Sequence, residues 1–248
     1  MARGLERLKS AVRLIEARVA RRTDALSVDG RELRFIHSRW WSDATPEVFA
    51  VEIEPYFRAL GDPARYATVI DAGAATGQFA ITACVRLPGA RVHAFEPSRR
   101  QRVLLSRNAR LNGVADRLRV WPVGLWNEVT TLRFRTHGAI SSIESVSELP
   151  KNLAFPERVD VTTLDRWDER HALGRIDLIK MDIEGAELEA LEGARGVLAR
   201  DHPDLLVQAY HRRDGERTLE RCAALLASVG YDAREVLDQP GLLRATAR

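Results

Sequence analysis

The order of apolar and polar positions divides the chain into a leading arm, a short mixed segment and a long regular stretch. In the first 22 residues, Leu5, Leu8, Val12, Ile15 and Val19 recur at spacings of three and four, which predicts one apolar stripe on a helix with a basic opposite face. "LSVDGRELRFI" predicts a hairpin whose two-residue turn is Asp29-Gly30. Thr45 and Pro46 then open a predicted helix in "TPEVFAVEIEPYFRAL". From residue 67 the pattern becomes regular. Strands "ATVIDAG" and "RVHAFEP" lead into helices over 77–87 and 98–111, and strand "LRVWPVGL" follows. A strand at "TTLRFRT", a Ser-rich loop and "RVDVTTLDRW" come next. Strand "IDLIKMD", a helix over 186–199, strand "DLLVQAY" and a helix over 216–229, stopped by Gly230, complete the alternation. Two final strands, "YDAREVL" and "LLRATA", are joined by the short turn "DQPG" and predict an antiparallel hairpin at one sheet edge. Strands alternating with helices mean an α/β fold with a doubly wound, mostly parallel sheet. The expected organisation is an N-terminal extension over residues 1–66, as a lid or oligomer contact, followed by one domain over 67–248.

Composition narrows the class. The chain has 248 residues, 45% hydrophobic and 29% charged, which suits one sizeable domain with a small extension. No apolar run is long enough to span a bilayer, and charges interrupt the N-terminus every few residues, unlike a secretion signal. Cys84 and Cys222 read as ordinary buried thiols of a reducing compartment, so a cytoplasmic location is expected. Residues 1–22 hold seven basic side chains against two acidic ones, while the whole chain is only +3, so the remainder is slightly acidic. The basicity therefore belongs to the arm, and charge alone does not make the body a polyanion binder. Packing on its own domain, a helix–helix contact between copies and docking on an anionic membrane surface remain open for the arm.

"VIDAGAATGQFA" is a strand, a Gly-rich turn and a helix start, in which Gly73, Ala74 and Gly77 bring backbone close to a ligand. The spacing G-x-x-x-G is not the nicotinamide fingerprint G-x-G-x-x-G, because Ala75 takes the middle glycine and Gln78 the last. Asp71, two residues before Gly73, suits a cationic ligand such as the sulfonium and amino group of S-adenosylmethionine. Glu96 ends the next strand, where a carboxylate can accept hydrogen bonds from two ribose hydroxyls. Phe79 and Gly124 fall where they could line the same pocket.

These residues resemble a class I, Rossmann-like S-adenosylmethionine-dependent methyltransferase, and more narrowly the FkbM family. The resemblance rests on "VIDAGAATGQF", "VHAFEPS" and above all "DLIKMDIEGAELEALEGA", and it covers about residues 67–248. It implies S-adenosylmethionine as cofactor and methyl transfer to a hydroxyl of a sugar, glycoside or other small natural product. Two positions depart from the family pattern: Ala75 where Asn is common, and Gln208 where an acid is frequent. A side-chain contact at position 75 is therefore not implied.

The most unusual stretch is "LIKMDIEGAE", a strand that should be buried yet carries Lys180, Asp182 and Glu184 at alternating positions, which share one face. Two readings compete. Lys180 pairs with Asp182 or Glu184 and seals the sheet edge, or Asp182 stands beside the methyl donor and the incoming hydroxyl. Candidate general bases are Asp182 and His211, the latter at the end of the neighbouring strand. No divalent metal is expected, since Asp182 and Glu184 lack a third ligand at a diagnostic spacing. Trp40, Trp41, Ser141, Ser142 and Glu184 are candidate substrate contacts. Methylation of a nucleic acid is disfavoured because "DIEG" stands where a base-stacking D/N-P-P-Y/F motif would. A non-catalytic scaffold on the same fold, and a homo-oligomer, stay open.

Overall fold

Asp29 and Gly30 both adopt positive φ, 50° and 79°, in the computed structural model, which describes residues 21–38, 46–137, 140–143, 155–213 and 215–248. That turn pairs β1 (Arg21–Val28) with β2 (Arg31–Ser38) in antiparallel register. Arg21 and Arg22, expected at the end of the arm helix, begin β1 instead, because Ser38 and His37 lie opposite them. The arm's apolar stripe lies outside the described residues.

The predicted helix over 45–60 appears as one helical stretch, α1, made of Pro46–Val48, a π segment Phe49–Ile53, and Glu54–Arg58. Pro55 explains the π turn: it has no N–H to give to the carbonyl of Val51. That carbonyl accepts a hydrogen bond from Gln239 Nε2 at 3.2 Å instead. Two residue stretches far apart in sequence are thus joined across a defect that proline creates.

The regular part follows the sequence expectation closely. Its first strands and helices are β3 (Thr68–Ala72), α2 (Gln78–Arg86), β4 (Arg91–Phe95), α3 (Arg99–Leu111) and β5 (Leu118–Trp121). Then come β6 (Gly124–Leu125), β7 (Thr130–His137), β8 (Ile140–Ile143), β9 (Phe155–Thr162) and α4 (Leu164–His171). Next are β10 (Leu178–Met181), α5 (Glu187–Glu192), α6 (Arg195–Asp201), β11 (Asp204–Gln208), β12 (Arg212–Arg213) and β13 (Glu216–Arg217). The described chain closes with α7 (Thr218–Ser228), β14 (Tyr231–Glu235) and β15 (Leu242–Ala247). Seven strands form the main sheet in the order β14-β15-β11-β10-β3-β4-β5. The five from β11 to β5 run parallel, and β14 and β15 form the antiparallel edge hairpin.

Three details differ from the sequence reading. The helix over 186–199 is two helices, broken at Gly193, where a Cβ would stand 2.1 Å from the carbonyl oxygen of Trp126. Part of the Ser-rich loop is strand β8, paired with the end of β7. Strands β6, β9, β7 and β8 form a second sheet of their own, which the alternation of strands and helices does not predict.

The pleat sorts the core into two faces. Val69, Leu178 and Leu206 pack with the hairpin, α1 and α2, while Ile70, Ile179 and Val207 pack with α4 to α7. The hairpin is tied to this first face by two asparagines one turn apart, Asn108 on α3 and Asn112 at its C-terminal cap. Asn108 Oδ1 accepts from the N–H of Ile36 at 2.7 Å and Asn112 Oδ1 from that of Arg34 at 2.9 Å. Their Nδ2 groups donate to the carbonyls of the same two residues, so both imitate a neighbouring strand. Asn108 Nδ2 also donates to Thr76 O, in the Gly-rich turn. No helix among the described residues is long and apolar enough to cross a membrane.

Candidate active site

The parallel register carries the ends of three strands to one rim. Ala72 lies opposite Phe95 on one side and Met181 on the other, so Gly73, Glu96 and Asp182 follow at the carboxyl edge. The N–H groups of Gly73 and Ala74 both donate to Phe95 O, and that of Asp182 donates to Ala72 O at 3.1 Å. Gly73 has φ +76°, and a Cβ there would stand 2.0 Å from the Asp182 carbonyl oxygen. Only glycine lets the two loops pass. Around this rim opens a cavity of about 530 Å³, walled by α1 on one side and by the second sheet, through Phe134, Val159 and Val161, on the other.

Of the residues expected to hold a cofactor, Gly73, Ala74, Phe79, Glu96, Gly124 and Asp182 line this cavity, as does Glu184. Asp71, Gly77 and His211 do not. Asp71 is fully buried, and its Oδ1 accepts from Lys180 Nζ at 3.0 Å. It lies directly opposite Lys180 in the β3–β10 register, so the pleat turns both onto one face. This corrects the expected Lys180 pairing with Asp182 or Glu184; the other Asp71 oxygen, Oδ2, has no hydrogen-bond partner. Gly77 serves packing: it precedes α2 with φ +98°, and a Cβ would lie 2.2 Å from Leu105 Cδ1. Ser141 and Ser142 lie in β8, with backbone opposite Thr136 and Arg135. Trp40 and Trp41 lie outside the described residues.

Three of the cavity carboxylates, Asp182, Glu184 and Glu96, have defined partners. Tyr56 of α1 donates its hydroxyl to Asp182 Oδ2 at 3.1 Å. Burial, with the nearby Asp182 charge, holds the Tyr56 phenol well above its ordinary value, so it stays a donor. Burial also raises the Asp182 carboxyl; Lys180 opposes this, and Glu184 adds to it. Lys180 keeps its proton, because Asp71 and Asp182 outweigh the burial that would lower it. Glu184 stands at φ +57°, a strained conformation for a side chain with a Cβ, and its Oε2 lies 3.1 Å from His211 Nε2. At His211, burial pulls downward, but the Glu184 hydrogen bond and the Glu187 charge prevail and raise the imidazole above its ordinary value.

Glu96 is the residue best suited to a ribose. Its Oε2 accepts from Ala75 N–H at 2.9 Å and its Oε1 from Ser98 N–H at 2.8 Å, which leaves each oxygen a further lone pair for a ligand hydroxyl. Ala75 makes its contact by backbone N–H alone, at φ +46°, so the missing asparagine side chain costs this bond nothing.

Burial pushes the Glu96 carboxyl up to about 7, against the two N–H donors that pull it down. A carboxyl raised on folding contributes stability that is present below its ordinary 4.5 and lost as pH rises through about 7. The effect is about 1.4 kcal/mol for each pH unit between the two values. Urea midpoints of the ligand-free protein are therefore expected to fall as pH rises from about 5 to about 7.5. Glu96→Gln should remove part of that slope, the remainder coming from Glu187, which burial also pushes up to about 7. An unchanged slope in Glu96→Gln would show that other groups set it.

A family model described as the methyltransferase FkbM domain matches residues 71–233, more than half of the chain. The chain belongs to the FkbM methyltransferase family. The methyltransferase sdnD of Sordaria araneosa is 26% identical over 190 residues, covering 65% of this chain and 69% of that protein. The AMB antimetabolite synthetase AmbE of Pseudomonas aeruginosa is 27% identical over 218 residues, 73% of this chain but 10% of the synthetase. Among solved structures, the methyltransferase FkbM from Methylobacillus flagellatus KT is 25% identical with a TM-score of 0.54, over 77% of this chain and 46% of that one. The O-methyltransferase from Bacillus cereus, solved in complex with SAH, shares the fold at 15% identity and a TM-score of 0.53, over 83% of both chains.

In this FkbM methyltransferase, sequence reasoning missed Tyr56, Tyr210, Gln101 and the Phe134 wall, all of which line the cavity. Tyr210 had a signal, since it stands beside His211 in "LVQAYHR". Tyr56 had none: it reaches Asp182 across 126 positions of chain, and nothing in its own helix marks it.

Proposed function

We propose that this methyltransferase moves a methyl group from S-adenosylmethionine to a hydroxyl of a sugar, a glycoside or another small natural product. The observation that carries the reading is Asp182: a carboxylate on the cavity wall, fixed by the Tyr56 hydroxyl, beside the Gly73 loop. When bound, the cofactor supplies a methyl group on a positively charged sulfur. Glu96 accepts the ribose hydroxyls, the Gly73–Ala75 backbone approaches the ligand closely, and Phe79 gives an apolar wall. Asp182 accepts the acceptor's hydroxyl proton as the new O–C bond forms, a role to which a carboxyl raised by burial is suited. Glu184 faces the same space and holds the acceptor. His211 acts behind it, through Glu184, and not on the reacting atoms.

Glu52, Glu96, Asp182 and Glu184 together on the described wall favour a neutral acceptor over a phosphate backbone. In this reading α1 belongs to the working site, where Val48, Glu52, Ile53 and Tyr56 close one side of the cavity. The test is calorimetric titration with S-adenosylmethionine, followed by turnover with hydroxylated glycosides. Binding is expected, and Asp182→Asn should retain it while lowering turnover at least about tenfold. No binding at millimolar cofactor would favour the scaffold reading and overturn this one.

A further inference from the structure

Behind the cavity, two buried polar atoms face each other with no hydrogen-bond partner: His211 Nδ1 and Glu187 Oε2, 3.9 Å apart. Glu187 is fully buried. Its other oxygen, Oε1, accepts the N–H groups of Ile183 and Gly185, at 3.0 and 3.2 Å, and so shapes the turn that carries Glu184. His211 is nearly as buried, stacks on Tyr210 at 4.1 Å, and offers Nε2 to Glu184. Its backbone is pinned where its carbonyl accepts from Thr218 N–H at 2.8 Å.

Counting protons decides what this arrangement requires. A neutral imidazole has one N–H and can serve one carboxylate, while the imidazolium has two and serves both. A buried polar atom left without a partner costs about 1–3 kcal/mol. Here a neutral ring between two ionised carboxylates would leave either Glu184 or Glu187 facing a bare nitrogen lone pair. Burial pushes the Glu187 carboxyl up to about 7, and the charge of His211 pulls it back down. The groups facing His211 are Glu184 from the turn, Glu187 from α5, Asp182 from the end of β10 and Tyr210 beside it in the chain. Three of the four are carboxylates. Arg213, the guanidinium two residues on, is occupied by Glu189 and the Gly185 carbonyl.

We propose that Glu187 is a positioning residue for the acceptor site: it holds His211 as an imidazolium between two carboxylates, and that cation fixes Glu184 toward the cavity. The strained backbone of Glu184 then has a cause, since the His211 contact selects it. Glu184 stays fixed in place, an acceptor for a hydroxyl of the incoming molecule, while Asp182 is left to take the proton. The role of Glu184 rests on the function proposed above; the link from Glu187 to His211 does not.

The test is a histidine nitrogen NMR titration of the full chain, with the His211 signal assigned by its loss in His211→Gln. His211 is expected to be doubly protonated at pH 7, titrating above its ordinary value. Glu187→Gln keeps an oxygen for the Ile183 and Gly185 N–H groups but turns a donor toward Nδ1. The His211 pKa should then fall by about one unit or more, a tenfold loss of proton affinity. Its neutral form should carry the proton on Nε2. Glu189→Gln, which removes only the partner of Arg213, should leave the titration unchanged. A neutral His211 at pH 7 in the unmodified protein overturns the proposal, as does a Glu187→Gln titration matching it. Cofactor titration of the same samples separates the two ideas: absent binding with an intact Glu187 effect sinks the function, and the converse sinks this inference.

Discussion

Replacing Gly73 by alanine is expected to lower stability by about 2–5 kcal/mol and to weaken cofactor binding by roughly an order of magnitude or more. Two costs add. A residue with a Cβ at φ +76° loses about 1–2 kcal/mol against glycine. The Cβ must also displace the Asp182 carbonyl, which is backbone and cannot swing aside; forced packing of this kind costs about 1–3 kcal/mol. Because that carbonyl belongs to the residue proposed as base, relief of the clash moves Asp182 itself. Gly89 supplies the control, with the same φ of +76° and no atom within 4 Å of where a Cβ would stand. Gly89→Ala should therefore show only the backbone cost. Thermal melts of the two variants measure the difference, expected at roughly 2–4 °C per kcal/mol for a chain of this size. Equal losses would mean that the loops part freely and that the contact with Asp182 does not matter.

Lys180→Met is the second large effect. Lys180 Nζ donates to Asp71 Oδ1 at 3.0 Å and to Gly73 O at 3.1 Å, and both charged groups are buried. Removing the ammonium leaves a fully buried carboxylate without its counter-ion, a loss of about 3–5 kcal/mol. Lys180→Met with Asp71→Asn should recover most of it, since removing both charges also removes the desolvation cost. The pH dependence has a definite sign. Without Lys180, burial acts on Asp71 unopposed by a cation and raises its carboxyl further, so the folded state binds a proton the unfolded chain does not. The deficit of Lys180→Met should therefore shrink as pH falls from about 8 toward about 5. Urea denaturation at both ends of that range measures it. A single variant as stable as the parent at the alkaline end would show that Asp71 is not held as a charge.

Much of this site is legible in the residues, and the misses have a common form. Gly73, Glu96 and Asp182 stand at strand ends because the apolar runs before them stop there, and all three line one cavity. The hairpin turn is readable because Asp29-Gly30 tolerates two positive φ angles in succession. The partner of Asp71 was hidden for the opposite reason. Its residue type and position suit a cation, and the cation that pairs with its Oδ1 is one of the protein's own, 109 positions away.

What the sequence by itself determined is the local grammar: where strands end, where backbone must turn left-handed, and which carboxylates follow an apolar run. The turn "DIEGAE" closes within its own residues, where Glu187 binds the N–H groups of Ile183 and Gly185, but a sequence reading puts Glu187 on a solvated helix face, and the fold buries it fully. Only the tertiary structure decided the partners. The alternation in β10 says that Lys180 points to one face, but not that β3 lies alongside in the register that sets Asp71 opposite. Tyr56 on Asp182 and His211 between Glu184 and Glu187 are likewise contacts between segments that meet only after the chain has folded. A side chain's direction follows from its own strand or helix; its neighbour follows from strand order and register, which no single segment encodes.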